Sequence, residues 1–300
     1  MNPPYFLPYS VAMITPYTPG DEIDEAGIRR MVEYYKEHQV PALLVSGSTG
    51  EQHSLSVDER VFLYRAVKEA DSDQVPLYAG VASIRTRDAV RLAKEAELAG
   101  YAAIMLGFPP YVRPNQEEAV QYVEAVCAAV SLPVMLYNNP LRTGFSLEPE
   151  TLIRLVEQHP QITALKEAGS PEHVLRTKER LAPGGFQVLS GSDLTIEESF
   201  AKGYNGLTSV AGNLFPQEMG RVIVLLREER QSEARELLAE LEPRLTLAGR
   251  IGWVRVIRHR FAALGLVSAS CREPLTPLTG AEQTELAGTG MWEFATGRTR

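Results

Sequence analysis

The feature that most constrains this chain is a beat. From about residue 10 to about residue 230, short apolar runs alternate with longer segments in which apolar residues recur every three or four positions. The apolar runs fall at 11–14, 42–45, 76–81, 102–106, 133–137, 162–166, 186–189 and 206–210, which makes eight candidate strands. Between them, segments such as 24–38, 58–70, 86–99 and 117–130 carry the helical period. Strands separated by helices must run parallel with crossover connections. Eight such units close most naturally into a (β/α)8 TIM barrel.

Local start signals agree with that beat. Ser56 with Glu59 forms a capping-box pattern, and Ser170-Pro171-Glu172 puts proline at a first helical position. After the eighth run the strands stop, and 217–230, 232–242 and 252–264 read as consecutive helices forming an appendix. The organisation expected is a catalytic barrel over 1–230 and a C-terminal helical extension over 231–300, with Gly288-Thr289-Gly290 and 296–300 as a mobile end. Three hundred residues would suggest two domains, but barrels of this kind fill that length as one.

Composition narrows the partners. A formal net charge of -8 and the lack of any basic cluster argue against nucleic acid. No apolar run is long enough to span a bilayer, and the N-terminus has no basic start followed by an apolar stretch, so no membrane partner is expected. Cys127 and Cys271 are the two cysteines, far apart and without metal-ligand spacing, and the five histidines do not cluster. The expectation is a cytoplasmic protein with no metal and no disulfide.

The chemistry gathers at the ends of the runs, where a barrel places its pocket. Within 162–166, Lys166 shares a strand face with Ile162 and Ala164 if alternation is strict, while Thr163, Leu165 and Glu167 face the other way. An amine on the tight side of a buried strand is partly desolvated, which makes the neutral nucleophile available for imine formation with a carbonyl. Taken alone, the residue also reads as a lysine snorkelling from a strand end. The second run ends in Ser46-Gly47-Ser48-Thr49-Gly50-Glu51, whose hydroxyls and backbone N–H groups suit a small carboxylate or simply cap the next helix. The fourth run leads into Phe108-Pro109-Pro110-Tyr111. The fifth ends in Tyr137-Asn138-Asn139-Pro140-Leu141-Arg142-Thr143-Gly144, and the seventh in Ser190-Gly191-Ser192-Asp193. Tyr137 can pass a proton through its phenol or serve in packing. Arg142 either holds a carboxylate bidentately or is a surface arginine.

Together, Gly47-Ser48-Thr49-Gly50-Glu51, Tyr137-Asn138-Asn139-Pro140 with Arg142-Thr143-Gly144, and Leu165-Lys166-Glu167-Ala168 resemble the signature blocks of the dihydrodipicolinate synthase / N-acetylneuraminate lyase family, in order and at family spacing. The resemblance implies a (β/α)8 barrel with a helical extension, a homotetramer built as a dimer of dimers, and chemistry on pyruvate or another 2-oxo acid and an aldehyde without metal or cofactor. It implies that Lys166 forms the Schiff base, that Tyr137 shuttles protons, and that Ser48 and Thr49 hold the pyruvyl carboxylate and relay protons to Tyr137. Tyr111 would complete the relay from a neighbouring subunit, and Gly191 and the Thr208 carbonyl would line the lysine side. Arg142 would bind the carboxylate of the incoming aldehyde.

Departures from the family pattern widen the reading. The segment Leu247-Ala248-Gly249-Arg250-Ile251-Gly252-Trp253-Val254-Arg255 lacks the Asn-Pro pair and lysine that the synthases carry. Asn139 is more at home in sugar-acid aldolases and dehydratases, and Val57, Arg60, Ile84 and Pro110 stand at positions resembling the allosteric lysine pocket. The first expectation is a lyase that condenses pyruvate with an aspartate semialdehyde-like aldehyde to 4-hydroxy-tetrahydrodipicolinate. The second is a 2-keto-3-deoxy sugar acid aldolase or dehydratase, and the third a non-catalytic binding barrel.

Overall fold

The computed structural model describes residues 5–181 and 185–291. Eight parallel strands close on themselves in chain order: β1 (Tyr9–Ala12), β2 (Leu43–Val45), β3 (Leu77–Gly80), β4 (Ala103–Gly107), β5 (Val134–Asn138), β6 (Ile162–Glu167), β7 (Gln187–Ser190) and β8 (Gly206–Ser209). Around them lie α1 (Glu25–Glu37), α2 (Val57–Asp71), α3 (Thr86–Leu98), α4 (Gln116–Cys127), the short α5 (Pro140–Thr143), α6 (Pro149–Gln158), α7 (Pro171–Leu181), α8 (Ile196–Ala201) and α9 (Pro216–Arg227). Beyond the barrel come α10 (Gln231–Ile251), α11 (Trp253–Ala263) and α12 (Gly280–Gly288). The (β/α)8 barrel with a C-terminal helical extension is therefore the fold, and no helix among the described residues is long and apolar enough to cross a membrane.

Strand alternation sorts the core into two layers. Side chains such as Val11, Leu43, Val45, Ile104, Leu106, Leu136 and Leu165 point outward into the shell between strands and helices. Ala12, Leu44, Tyr78, Met105, Met135, Tyr137, Ala164 and Leu189 point inward. The amino-terminal end of the barrel is plugged by the segment before β1. Phe6 lies against Tyr78 with ring centroids 5.0 Å apart, the Tyr78 hydroxyl accepts from Leu7 N, and the Gln187 side chain pairs with both backbone groups of Phe6.

Several expected boundaries move, each for a physical reason. The first strand sits at Tyr9–Ala12 rather than 11–14, because Met13 and Ile14, though fully buried, already lie past the last residue paired to β2. Strict alternation over 162–166 fails at Thr163. Val134 pairs with Ile162 but Met135 pairs with Ala164, so Thr163 is an extra residue in a bulge. Ile162 consequently faces the outer shell while Ala164 faces inward.

The helix expected over 232–242 runs on as α10 to Ile251, through Pro243. Pro243 is on the exposed face, where the carbonyl it strands meets water, while Leu241, Leu245, Leu247, Ala248 and Ile251 bury the opposite face. α12 was not anticipated, although Thr279 and Glu282 form a full capping box at its start. Gly288-Thr289-Gly290 closes that helix in turns, with the Thr289 hydroxyl donating to Leu286 O. The expected end segment 296–300 lies outside the described residues.

One close approach fixes the top of the barrel. A Cβ at Gly80 would lie 2.3 Å from Ser46 O and 2.8 Å from Ser46 C, so only glycine lets β3 end beneath the turn that leaves β2. Gly80→Ala is expected to destabilise the protein by about 1–3 kcal/mol through overpacking. Calorimetry would register this as a Tm lowered by several degrees, and an unchanged Tm would show that the turn yields freely.

Candidate active site

Lys166 and Tyr137 are register mates on β6 and β5, both aimed into the barrel. The bulge at Thr163 sets that phase, and the lysine Nζ lies 4.6 Å from the centroid of the Tyr137 ring. Lys166 is 4% exposed, and burial holds its amine below its ordinary range. Tyr137 and Asp193 oppose that shift and Arg142 adds to it. An amine so placed releases its proton more readily than one in water. The lysine therefore does not snorkel out to solvent from the strand end.

The two groups line a cavity of about 410 Å³ at the carboxyl-terminal mouth, together with Ser48, Thr49, Arg142 and Gly191. Six of the residues expected from sequence thus converge on one pocket. A Cβ at Gly191 would lie 3.2 Å from Lys166 Cε and 2.8 Å from Ala168 Cβ, so the glycine makes room for the lysine stem. Arg142 stands exposed at the rim, on the short helix α5 that Pro140 starts. Neither the Ser48 nor the Thr49 hydroxyl bonds to another described side chain, which leaves both for a ligand.

Two expected residues sit elsewhere. Tyr111 is 94% exposed on the β4–α4 connection, with φ +72°, and does not line the pocket of its own chain. Thr208 is buried in β8 outside the lining, and its hydroxyl accepts from Ser10 Oγ at 3.1 Å. His53 is exposed beside the pocket rather than in it.

Three contributors were not picked out. The Asn139 amide donates to Tyr137 Oη at 2.6 Å, so the phenol's partner within the chain is Asn139 and not Ser48 or Thr49. Asp193 is a buried residue of the pocket lining, and its carboxylate accepts from Ser209 Oγ and from Val210 N at 3.0 Å. Burial raises the Asp193 carboxyl, while those bonds and the nearby Lys166 charge hold it down. Trp253 reaches the mouth from the extension, at the start of α11. The loop motifs contained the first two, and Trp253 lies in the 247–255 segment that departs from the family pattern, with nothing in its spacing to place it at the pocket.

Behind the lysine, Glu167 faces away from the cavity. It accepts from the Asn138 amide at 3.0 Å on both oxygens and from Gly169 N, and so ties the ends of β5 and β6 together. Among the described residues, no group of three or more His, Cys, Asp or Glu is arranged to hold a metal.

A closed parallel barrel with a desolvated lysine against a tyrosine at its mouth belongs to the aldolase-type TIM barrels. The family model described as the dihydrodipicolinate synthetase family matches residues 6–289, and the chain belongs to that family. Over 280 residues, 93% of this chain and 97% of the relative, it is 34% identical to a protein of Bacillus subtilis (strain 168) named 4-hydroxy-tetrahydrodipicolinate synthase. The solved 4-hydroxy-tetrahydrodipicolinate synthase from the thermoacidophilic methanotroph Methylacidiphilum fumariolicum SolV superposes with a TM-score of 0.90 at 33% identity, covering 96% of each chain. A prophage protein of the dihydrodipicolinic acid synthase family from E. coli K12, solved in complex with pyruvate, superposes with a TM-score of 0.88 at 25% identity, over 95% of this chain and 97% of that one.

The Glu167 carboxyl supplies a test of the wall behind the lysine. Burial lifts it from its ordinary 4.5 to about 7. The native state then holds a proton that the unfolded chain releases, so stability falls as pH rises from about 4.5 through about 7 and is unaffected below that window. Glu167→Gln has no such proton to lose. Its Tm relative to the parent is expected to improve between pH 5 and pH 8, by an amount corresponding to at most roughly 3 kcal/mol. Parallel Tm profiles for the two proteins would show that Glu167 does not titrate in this window.

Proposed function

We propose that this protein condenses pyruvate with a carboxylate-bearing aldehyde through a Schiff base on Lys166, the reaction type of a 4-hydroxy-tetrahydrodipicolinate synthase. The observation that carries the reading is the buried amine of Lys166 facing the Tyr137 ring at 4.6 Å, inside a pocket rimmed by Arg142. The names of the relatives and the pyruvate-bound family structure support the same donor.

The neutral amine attacks the keto carbon of pyruvate, and the resulting carbinolamine loses water to give a protonated imine. Loss of a C3 proton converts the imine to an enamine, whose C3 attacks the aldehyde carbon. Water then hydrolyses the new imine and returns the amine. Tyr137 is the group placed to give and take these protons, with Asn139 donating to its oxygen and so favouring a phenol that donates onward into the cavity. Ser48 and Thr49 receive the pyruvyl carboxylate. Gly191 borders the lysine side, and Arg142 receives the carboxylate of the aldehyde.

The partners are these small molecules and further copies of the chain, in a homotetramer. Tyr111, fully presented on its loop, enters the relay of a neighbouring subunit. The catalytic unit is the barrel over 1–230, and the extension over 231–300 contributes Trp253 to the mouth. Free Cys127 and Cys271 fit a reducing cytoplasm. The second reading, cleavage or dehydration of a 2-keto-3-deoxy sugar acid, is favoured by the Asn139–Tyr137 contact and by Trp253 standing in the pocket.

Borohydride reduction in the presence of pyruvate, followed by mass spectrometry, is expected to leave a pyruvate-sized adduct on the Lys166 peptide and none in Lys166→Ala. A folded protein without adduct would overturn the reading. Arg142→Ala is expected to raise KM for the carboxylate-bearing aldehyde about 10- to 100-fold while leaving pyruvate adduct formation intact. Equal loss with a sugar-acid substrate and none with aspartate semialdehyde would favour the second reading.

Free lysine is expected not to inhibit. Arg60 is buried and its guanidinium is taken up by Ser46 Oγ, Gly80 O and Ala82 O, and Ile84 is exposed and apolar. Inhibition at modest lysine concentration in a steady-state titration would contradict this.

A further inference from the structure

The turn that carries Ser48 and Thr49 has no side-chain bonds of its own to hold those two hydroxyls in place, so their position is that of the backbone. That backbone is unusual at its exit. Glu51 adopts φ +56° and ψ +37°, the left-handed conformation that glycine tolerates and a long L side chain resists. Such a conformation persists only where its surroundings enforce it.

The surroundings are supplied by the helical extension. Arg258 on α11 is completely buried, and its Nη2 donates to the Glu51 carboxylate, itself 1% exposed, and to Thr15 O at 2.7 Å. The guanidinium carbon lies 4.6 Å from the centroid of the Tyr17 ring, and Nε and Nη1 find no hydrogen-bond partner among the described residues. Thr15 closes the circuit, its hydroxyl donating to Gly50 O at 2.7 Å. The turn's own bonds, Glu51 N to Ser48 O at 3.1 Å and Gln52 N to Gly47 O at 3.3 Å, then pass the position of Glu51 directly to Ser48 and Thr49.

We propose that Arg258 is a positioning residue for the first substrate: through its buried ion pair with Glu51 it holds the 46–51 turn in the form that binds the pyruvyl carboxylate, which rests on the Schiff-base reading above. A buried ion pair is a weak device for stability, because the cost of taking both charges out of water offsets much of their attraction. It is a good device for orientation. A single charge-assisted contact on the residue that ends the turn opposes its relaxation to the right-handed form, which would swing the Ser48-Thr49 peptide out of the pocket.

Four variants separate position from stability: Arg258→Lys, Arg258→Met, Glu51→Gln, and the doubly uncharged Arg258→Met/Glu51→Gln. The double variant buries no unpaired charge and so is the one expected to fold in any case. The expected result is a pyruvate KM raised about 10- to 100-fold in the double variant and in Glu51→Gln, with kcat at saturating pyruvate within about threefold and the KM of the aldehyde unchanged. Arg258→Lys, which keeps a donor charge, is expected to recover most of the loss. A folded double variant with the parent's pyruvate KM would overturn the proposal, as would KM values for both substrates rising together. Borohydride trapping on the parent protein keeps the two readings apart: no adduct on Lys166 in the parent rejects the Schiff base itself, whereas an adduct that forms equally well at low pyruvate in parent and double variant rejects only the role of Arg258.

Discussion

A buried amine is the constraint around which the site is built. Lys166 can be held in that state only because a closed barrel offers an interior, and because the neighbouring strand brings a tyrosine ring into register beside it. The ring face attracts whatever positive charge the amine retains, while burial favours the neutral form. The Asp193 carboxylate, in the pocket wall and held by Ser209 and Val210, opposes that downward shift of the amine. Lysine chemistry at neutral pH depends on such opposition more than on any single contact.

The loops above the barrel are fastened from outside by buried guanidinium groups. Arg60 of α2 donates to Ser46 Oγ, Gly80 O and Ala82 O, binding the turn after β2 to the end of β3. Arg258 reaches the same turn from the extension on its other side. Arg272 joins them, packed 4.3 Å from the Tyr17 ring and donating to Ser54 O. Arg60 and Arg258 thus hold the 46–51 turn from two sides, and the half-buried Arg272 holds the segment just after it, a use of charge that adds shape more than stability.

Much of this was legible in the sequence, and the misses have reasons. The barrel followed from the alternation of short and long apolar periods, which local pattern records directly. The pocket's convergence followed from the rule that strand ends gather, and Ser48, Thr49, Tyr137, Arg142, Lys166 and Gly191 do gather. What alternation could not reveal was the extra residue at Thr163, since a bulge is defined by pairing with another strand. The helix expected over 232–242 continues past Pro243 because a helix breaker in sequence is harmless on an exposed face. Arg258 lies 207 residues after the Glu51 it meets, and Trp253 comes to the pocket from the extension, so no local pattern joined them to the site. Asn139 was visible as a residue, but its bond to Tyr137 across one intervening position depends on a backbone turn that only the structure displays.

The plug at the amino-terminal end has a kinetic meaning. Phe6, Tyr78 and Gln187 pack across the base of the barrel, and among the described residues the chamber opens at its carboxyl-terminal mouth. Lys166 lies inside it and Arg142, Leu141, Leu194 and Trp253 stand at its threshold. A molecule held at the threshold blocks traffic to the amine. Whatever reaches the amine must therefore pass those side chains on the way in, and what leaves it must pass them again before another molecule can follow. The order of arrival and departure in such a vessel is set by its geometry.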